Sequence, residues 1–524
     1  MMRSTTTTLA HLVRERAATE PDRLAFTCQD GELRLGELWS RAQRITGAIR
    51  ARGIAPEETV AVLTHLGVPT LEIWVGLAAA GITEVPLSPA LKGESLAYQL
   101  RHCQARVLFV SADLADRVPA ASDVPALELV VIVGEPAVEV GHACIGYEEL
   151  LAEGAGHEAV LDVKPNAIST ICFTSGTTGA PKGVELSHAA NFKVAQDVVN
   201  EMEYTDADVL LNMFPFSHIN ARYTAALAAL LANARVVFRR GFSASSFWDD
   251  CREHQITAFN YLGGLPSFLL NRLPAAGDRD HAVRRAYGAG VSSENNAEFA
   301  RRFGVTLVEV LGSTELGTIC ANTLQERKLG SCGRPVAALE VQLHDEDGWP
   351  VPQGEPGEVV VRPREPHIII SRYHRNPEAT AEAFRGLWFH TGDRCRMDEE
   401  GWFYFVDRVK DSIRRRGENI SSWEVEQAAI THADVAEAAA VGVAMGDGEE
   451  EVMLVVVAER PIDPTAILDH CQERLPHYAV PRYVRFTDEL PRNSSARVMK
   501  TELRAAGVTD DSWDRVAHGY EVVR

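Results

Sequence analysis

The stretch TSGTTGAPKG, residues 174–183, combines hydroxyl side chains, glycines and one lysine. It follows AISTICF (167–173), a short apolar run rich in β-branched residues that predicts a strand. The glycines let backbone N–H groups turn toward an anion, and Lys182 adds a positive charge. The common nucleotide loop reads G-x-x-x-x-G-K-[ST], whereas here Pro181 precedes the lysine and Gly183 follows it. An ordinary surface turn is the alternative, but the density of hydroxyls and glycines favours a phosphate-binding loop of a different kind.

Helical and strand patterns alternate before this loop. The helical patterns span residues 37–53 and 69–81, and the strand patterns span residues 58–66, 105–113 and 125–135. Such alternation predicts an α/β sheet with ligands at the strand ends. The last part of the chain changes to helix, strand, strand, helix, which predicts a separate α+β unit. We expect domains at 1–409 and 410–524, since 524 residues exceed one ordinary core.

Composition narrows the class of protein further. The net charge of −21 argues against non-specific nucleic-acid binding and against an anionic membrane surface. The nine cysteines are scattered without C-x-x-C spacing, so neither a disulfide framework nor a zinc site is indicated. Residues 1–23 lack the apolar region of a secretory signal, and apolar runs such as 224–238 are interrupted. We expect a cytoplasmic protein whose partner is a small-molecule substrate.

The segment FTSGTTGAPKGVELSH (173–188) resembles the signature loop of the adenylate-forming superfamily, which contains acyl-CoA synthetases, peptide-synthetase adenylation domains and beetle luciferases. Other segments resemble that family's motifs in its order: GAGVSSE (288–294), LGSTELG (311–317), WFHTGD (388–393), DRVKDSIRRRGENI (407–420) and LPRNSSARVMKTELR (490–504). The resemblance covers nearly the whole chain and is nearest to carnitine-CoA-ligase-like bacterial members. It implies a large N-terminal AMP-binding domain of stacked α/β sheets, a small mobile C-terminal α+β domain, and the use of ATP, Mg²⁺ and CoA.

The resemblance also implies roles for individual residues. Residues of the loop would hold the β- and γ-phosphates: Thr174, Ser175, Gly176, Thr177, Thr178, Gly179 and Lys182. Residues of two later segments would surround the adenine: Gly288, Ala289, Gly290, Leu311, Gly312 and Ser313. Thr314 would donate to the α-phosphate and Glu315 would bind Mg²⁺, a cation that prefers oxygen ligands. Asp393 and Arg408 would contact the ribose, and Lys410 would be the hinge of the small domain.

The substrate pocket is the least determined part. The resemblance places it near His218, Arg222, Tyr223, Asn260, Tyr261 and Gly288. These side chains are more polar than a long-chain fatty-acid tunnel needs, so we expect a small polar or aromatic substrate. A lone histidine such as His218 is more often structural than functional.

The segments STE and TGD each have an ordinary structural alternative. For STE this is a helix N-cap, and for TGD it is a turn aspartate.

Two positions depart from the family pattern. Leu311 stands where relatives often have an aromatic residue that stacks on adenine. In the C-terminal motif, Ala496 and Arg497 replace the usual glycine and catalytic lysine, and Lys500 follows three residues later. Arginine keeps the charge but is planar and differently hydrated. The catalytic cation would therefore be Arg497 or Lys500.

Three functions are compatible with these residues. The leading hypothesis is an acyl-CoA ligase that forms acyl-AMP and passes the acyl group to CoA. An alternative keeps adenylation and drops the thioester step: an ATP-dependent diazotase that activates nitrite and diazotises an aromatic amine in secondary metabolism. The third is a non-catalytic nucleotide-binding homologue. A homodimer and a free-standing carrier protein as acceptor both stay open.

Overall fold

The computed structural model describes residues 7–135, 140–156, 161–174, 181–408, 411, 413–415, 418–445, 450–493 and 498–522. The first strands are β1 (Leu24–Cys28), β2 (Gly31–Arg34), β3 (Thr59–Leu63), β4 (Thr83–Pro86), β5 (Val107–Ser111), β6 (Leu129–Val133), β7 (Cys144–Gly146), β8 (Ile168–Thr174) and β9 (Lys182–Ser187). The next are β10 (Val209–Asn212), β11 (Arg235–Phe238), β12 (Ala258–Leu262), β13 (Arg285–Ala289), β14 (Thr306–Ser313), β15 (Gly317–Ala321), β16 (Arg334–Pro335), β17 (Leu339–His344) and β18 (Gly357–Pro363). The last are β19 (Arg372–Tyr373), β20 (Phe389–Met397), β21 (Phe403–Arg408), β22 (Ile413–Arg415), β23 (Glu418–Ile420), β24 (Val435–Ala444), β25 (Glu450–Ala458), β26 (Tyr483–Phe486) and β27 (Trp513–Asp514).

Helices alternate with these strands. The first are α1 (Leu9–Thr19), α2 (Leu35–Ala51), α3 (Val68–Ala79), α4 (Gly93–Cys103), α5 (Tyr147–Glu153), α6 (His188–Met202) and α7 (Ala228–Ala232). The others are α8 (Phe247–Glu253), α9 (Leu265–Leu270), α10 (Ser293–Phe303), α11 (Pro377–Ala383), α12 (Ser422–Ile430), α13 (Pro464–Gln472) and α14 (Lys500–Ala506). Short 3-10 helices lie at Ala112–Arg117 and Arg385–Leu387, and a π-helix spans Asn220–Leu227.

Two large sheets organise the N-terminal part. One has the strand order β16-β15-β14-β13-β12-β10-β11-β1-β2, and the other has the order β19-β9-β8-β4-β3-β5-β6-β7. Strands β8, β4, β3, β5, β6 and β7 run parallel, so their carboxyl ends lie along one edge. In the other sheet β12, β13 and β14 are parallel neighbours. The predicted stacked α/β architecture is confirmed, and a smaller sheet, β17-β18-β20-β21, adjoins it.

The small unit is built on a different plan. Its sheet has the order β24-β25-β26-β27, with α12 and α13 packed against it, and β22 pairs with β23 in a hairpin. The hydrophobic clusters of the described residues separate here, since four draw on residues up to Phe405 and two on residues from Ile413 onward. A boundary between residues 409 and 410 falls between these cores and remains our proposal.

Local sequence signals account for many of these elements. The predicted helix at 37–53 forms over Leu35–Ala51, and the predicted strand at 105–113 forms over Val107–Ser111. Ser187 caps α6 by accepting a hydrogen bond from the Ala190 amide at 3.0 Å. All nine cysteines are free thiols, and Cys144 alone among them is exposed. Among the residues that the structure describes, no helix combines the length and apolar character needed to cross a membrane.

Candidate active site

The predicted phosphate loop joins two antiparallel strands, β8 and β9. Thr174 ends β8 and Lys182 begins β9, and the two residues are register partners. The Thr174 hydroxyl donates to the Lys182 carbonyl at 3.4 Å. Since β8 is parallel to β4, Thr174 lies at the edge of the sheet where the parallel strands end. The loop residues Ser175, Gly176, Thr177, Thr178 and Gly179 lie outside the described part of the chain.

Thr314 and Glu315 lie at the tip of a β-hairpin. Strands β14 and β15 are antiparallel, and Ser313 pairs with Gly317, so residues 314–316 form the turn. The helix N-cap interpretation of STE is therefore wrong. A Cβ at Gly312 would lie 2.6 Å from the Gly317 carbonyl oxygen, because the two strands approach closely at this turn.

Tyr373 connects the phosphate loop to the hairpin. Its ring centroid lies 5.0 Å from Lys182 Nζ, and its hydroxyl donates to Glu315 Oε1 at 3.0 Å. The amide of Ile370 also donates to the Glu315 carbonyl oxygen at 2.6 Å. Burial, assisted by the Glu315 carboxylate, raises the pKa of Tyr373 far above its ordinary value, so its hydroxyl stays a neutral donor. The structure thus brings together Lys182 and Glu315, which are separated by 133 residues in the sequence.

Sequence reasoning did not find Tyr373. It lies in SRYHRN (371–376), where strand β19 pairs with β9 through the register Tyr373–Val184. A two-residue strand leaves no periodic pattern, and its partner lies far away in the sequence. The signal that was available is weak: an aromatic residue among polar neighbours, shortly before Pro377 at the start of a helix.

The predicted adenine segments lie at the ends of neighbouring parallel strands. Gly288 and Ala289 end β13, and Leu311 to Ser313 end β14. A Cβ at Gly288 would lie 2.1 Å from the Tyr261 carbonyl oxygen, so no larger residue fits. The Ser313 hydroxyl is buried and has no hydrogen-bond partner among the described residues. An orphaned donor at this edge fits a site that a polar ligand completes.

A carboxyl group that the sequence did not reveal supports the first of these segments. Glu309 of β14 accepts from the amides of Gly290, at 3.1 Å, and Val291, at 3.4 Å. The Tyr261 hydroxyl also donates to it. Burial raises the pKa of Glu309 to about 7, although these donors favour the ionised form. Gly290 has a φ of 91°, which a glycine adopts without strain.

Asp393 and Arg408 face each other across two strands. They are register partners on β20 and β21, and Arg408 Nε lies 3.3 Å from Asp393 Oδ1. TGD is therefore part of a strand rather than a turn. The side chain of Asp393 is 10% exposed and that of Arg408 is 36% exposed, so the pair lies at the surface with the carboxylate inward. A carboxylate and a guanidinium side by side can accept from and donate to a diol.

The residues predicted to line the substrate pocket are largely engaged with the protein itself. Arg222 of the π-helix is 1% exposed and forms an ion pair with the buried Glu84 of β4. The Tyr223 hydroxyl lies 2.7 Å from Thr170 Oγ1. The expectation that these polar groups face the substrate is not supported by their burial and internal partners.

The other residues predicted to line the pocket lie on β12 and just before the π-helix. The Asn260 amide donates to Thr224 Oγ1 at 2.8 Å and to Asn220 Oδ1 at 3.1 Å. His218 is half-buried at the entry to the π-helix, where its amide donates to the Pro215 carbonyl oxygen at 3.1 Å. A π-helix is rare and recurs at functional sites, so this segment stays our candidate for the pocket wall.

Of the two cations of the C-terminal motif, Lys500 lies in the described part of the chain and Arg497 does not. Lys410, which was predicted to be the hinge residue, also lies outside the described residues. Lys500 begins α14, and its Nζ lies 2.6 Å from Ser422 Oγ and 2.7 Å from Glu426 Oε1. Lys500 is thus bound within the small unit.

The described residues offer a plain magnesium ligand at the hairpin. Mg²⁺ in nucleotide sites keeps water and binds one or two carboxylates together with substrate phosphates. Glu315 supplies such a carboxylate, held by the hydroxyl of the ring that also contacts the Lys182 ammonium, so the residues present fit the ion. A separate group, Asp250, Glu253 and His254, has metal-ligand spacing, but Arg239 already pairs with Asp250 at 2.9 Å.

Comparison with known proteins identifies the class of this site. A family model for AMP-binding enzymes matches residues 13–369, and one for the C-terminal domain of AMP-binding enzymes matches residues 424–497. The chain belongs to the AMP-binding enzyme family. The predictions of an adenylate-forming protein and of an AMP-forming ligase are both confirmed.

Individual relatives agree with this assignment. A sulfoacetate–CoA ligase of Cupriavidus necator is 33% identical over 509 residues, covering 95% of this chain and 97% of the relative. A crotonobetaine/carnitine–CoA ligase of Salmonella typhimurium is 30% identical over 450 residues, covering 82% of this chain and 85% of the relative. The anthranilate CoA ligase AuaEII, solved in complex with anthranoyl-AMP, matches with a TM-score of 0.88 at 23% identity, covering 96% of this chain and 99% of that chain. The last comparison concerns the fold alone.

Proposed function

We propose that the protein is an acyl-CoA ligase that activates a small polar or aromatic carboxylate. The convergence of Lys182 and Glu315 on Tyr373 supports this most directly. A cation over the face of an aromatic ring and a carboxylate at the hydroxyl of the same ring suit a triphosphate and its metal ion. The names of the relatives support a small polar substrate, since sulfoacetate and carnitine are small and polar.

In the first half-reaction the substrate carboxylate attacks the α-phosphorus of ATP. The new bond joins carboxylate oxygen to phosphorus, and pyrophosphate leaves with the electron pair of the broken P–O bond. Charge gathers on phosphate oxygens, so the residues act by position and electrostatics. Lys182 neutralises the β- and γ-phosphates, Thr314 donates to the α-phosphate, and Mg²⁺ held by Glu315 supplies further charge neutralisation when bound.

The nucleoside end is proposed to lie across the two strand edges. The ribose hydroxyls contact Asp393 and Arg408, and the adenine rests against Gly288 to Gly290 and the apolar side chain of Leu311. In the second half-reaction the thiolate of CoA attacks the acyl carbonyl, and AMP leaves. Arg497 is our candidate for the cation of the C-terminal motif because Lys500 is bound to Glu426.

A second candidate function rests on the C-terminal motif. Arg497 stands where relatives have a lysine, so the activated group and its acceptor need not be those of an ordinary ligase. Nitrite in place of the carboxylate, with an aromatic amine as acceptor, would use the same nucleotide residues. This candidate also releases AMP and pyrophosphate.

One assay separates these functions. The protein is incubated with Mg-ATP and a panel of small carboxylates plus CoA, or with nitrite plus aryl amines, and AMP is quantified. The ligase proposal expects AMP release that requires both a carboxylate and CoA. AMP release that requires nitrite and proceeds without CoA would replace it with the second candidate. Nucleotide binding without turnover in either panel would leave only a non-catalytic homologue.

A further inference from the structure

A buried lysine lies beneath the hairpin that carries Thr314 and Glu315. Lys193 is on α6, and its side chain is 2% exposed. Its Nζ donates to the Leu316 carbonyl oxygen at 3.1 Å and to the Thr318 carbonyl oxygen, and it lies 3.0 Å from Asp197 Oδ2. An ammonium group has three donors, and these three acceptors satisfy them.

The contact is not explained by packing. An ammonium group is expensive to bury, and a Leu or Met at this position would fill the space without that penalty. Two of its three partners are main-chain carbonyls on either side of Gly317. The hairpin approaches α6 so closely that a Cβ at Gly317 would lie 2.4 Å from Val194 Cγ2. Lys193 therefore fixes the backbone of the turn rather than a side chain.

The same helix also reaches the strand of the adenine segment. The Tyr287 hydroxyl, one residue before Gly288, lies 2.8 Å from Thr318 Oγ1. Glu201, two turns after Lys193 on α6, is buried beside Tyr287, and burial together with the charge of Asp197 raises its pKa to about 8. A network of Lys193, Asp197 and Glu201 thus supports both neighbouring strand ends.

We infer that Lys193 is a positioning residue that holds the Thr314–Glu315 turn at the height and orientation required for the metal-bound triphosphate. The inference rests on the proposed role of Glu315. Lys193 touches neither substrate nor metal, since its side chain is 2% exposed and its three donors are taken by the Leu316 and Thr318 carbonyl oxygens and by Asp197. It acts through the main chain of residues 316 and 318.

The test replaces Lys193 with methionine, which keeps the volume and removes the ammonium. AMP formation in K193M is expected to fall about 10- to 100-fold in kcat, because small displacements of catalytic groups are costly. The Mg²⁺ concentration for half-maximal activity should rise several-fold, whereas the KM for CoA stays unchanged. Val198→Ala, a buried truncation on the same helix, is the matched control for lost stability, and all assays run below the melting temperature of each variant.

A double-mutant cycle with Glu315→Gln distinguishes positioning from general damage. Lys193→Met should cost little further activity once Glu315→Gln has removed the carboxylate. If E315Q is fully active, the proposed function of Glu315 fails. If E315Q is impaired while K193M keeps wild-type kcat and Mg²⁺ dependence, or loses activity additively with E315Q, the inference about Lys193 fails alone. Should K193M not fold, Asp197→Asn carries the same cycle with a smaller expected loss.

Discussion

Lys182 and Lys500 both belong to motif segments of the sequence, but their ammonium groups have different neighbours. Lys182 lies over the neutral ring of Tyr373, which leaves its charge for an anionic ligand. Lys500 is hydrogen-bonded to Ser422 and paired with the largely buried Glu426. A lysine that already neutralises a buried carboxylate can serve a substrate only if that pair breaks. The environment, rather than the residue type, distinguishes a ligand-binding lysine from a structural one.

The largest expected effect is the loss of AMP formation when the charge of Lys182 or of Glu315 is removed. Lys182→Met and Glu315→Gln should each lower the kcat for AMP formation by about 10²- to 10³-fold, because each removes a charge aimed at the triphosphate. Lys328→Met is a matched control, since Lys328 pairs with Asp398 and Glu400 at the surface. Wild-type rates in either site variant would show that the nucleotide binds elsewhere.

Replacing Lys500 should instead lower the stability of the small unit. Lys500→Met leaves Glu426 without its cation, and the free energy of unfolding of the small unit should fall by about 3 kcal/mol. Replacing both residues with methionine should recover much of that loss in denaturant titrations. Below its melting temperature the double variant should keep kcat within a few-fold of wild type. A stable double variant that forms no AMP would instead assign Lys500 to catalysis.

The buried carboxyl group of Glu309 makes the stability of the protein depend on pH. The pKa of Glu309 is raised from 4.5 to about 7 by burial, so the folded chain binds its proton more tightly than the unfolded chain. That stabilisation is complete below pH 4.5 and is lost as the pH rises through 7. Glu309→Gln stays neutral and keeps an acceptor for the Gly290 amide, so its stability relative to wild type should increase by about 2 kcal/mol between pH 5 and pH 8. Parallel pH profiles of the two proteins in chemical denaturation would contradict this expectation.

The smallest effect is expected at the ring that joins the two sides of the site. Tyr373→Phe removes the hydrogen bond to Glu315 but keeps the face beneath Lys182. AMP formation should fall by about 10-fold, with most of the change in the Mg²⁺ dependence. Tyr373→Leu removes the face as well, and its additional loss measures the contact with Lys182. Equal activity of the Phe and Leu variants would mean that the ring contact contributes nothing.

Prediction from sequence succeeded where a residue acts on its near neighbours. Ser187 caps α6 by accepting from the Ala190 amide, and the strand predicted over residues 167–173 forms over Ile168–Thr174. The cap is a contact between residues three apart, and a local run of apolar residues predicts a buried strand. The alternative of a helix cap at STE is wrong, because these residues lie at the turn of a hairpin in which Gly317 pairs with Ser313.

Prediction failed where burial decides the role. Arg222 looked like a polar wall of the substrate pocket, yet it pairs with Glu84 of β4, which is 138 residues away in the sequence. Lys193 and Glu309 carried no motif at all, and their importance is visible only from the carbonyl and amide groups that they bind. The polarity of a side chain does not tell whether water, a ligand or a buried partner satisfies it.

The sequence by itself determined the class of enzyme, because the loop at 174–183 and the later motif segments resemble those of the adenylate-forming superfamily in the same order. It also determined the alternation of helices and strands, since each depends on contacts within a few residues. Only the tertiary structure decided which charged groups remain available for a ligand. Desolvation and hydrogen bonding between distant segments fix that choice: Lys182 is left over a neutral ring, and Lys500 and Arg222 are neutralised by carboxylates that the chain brings from elsewhere.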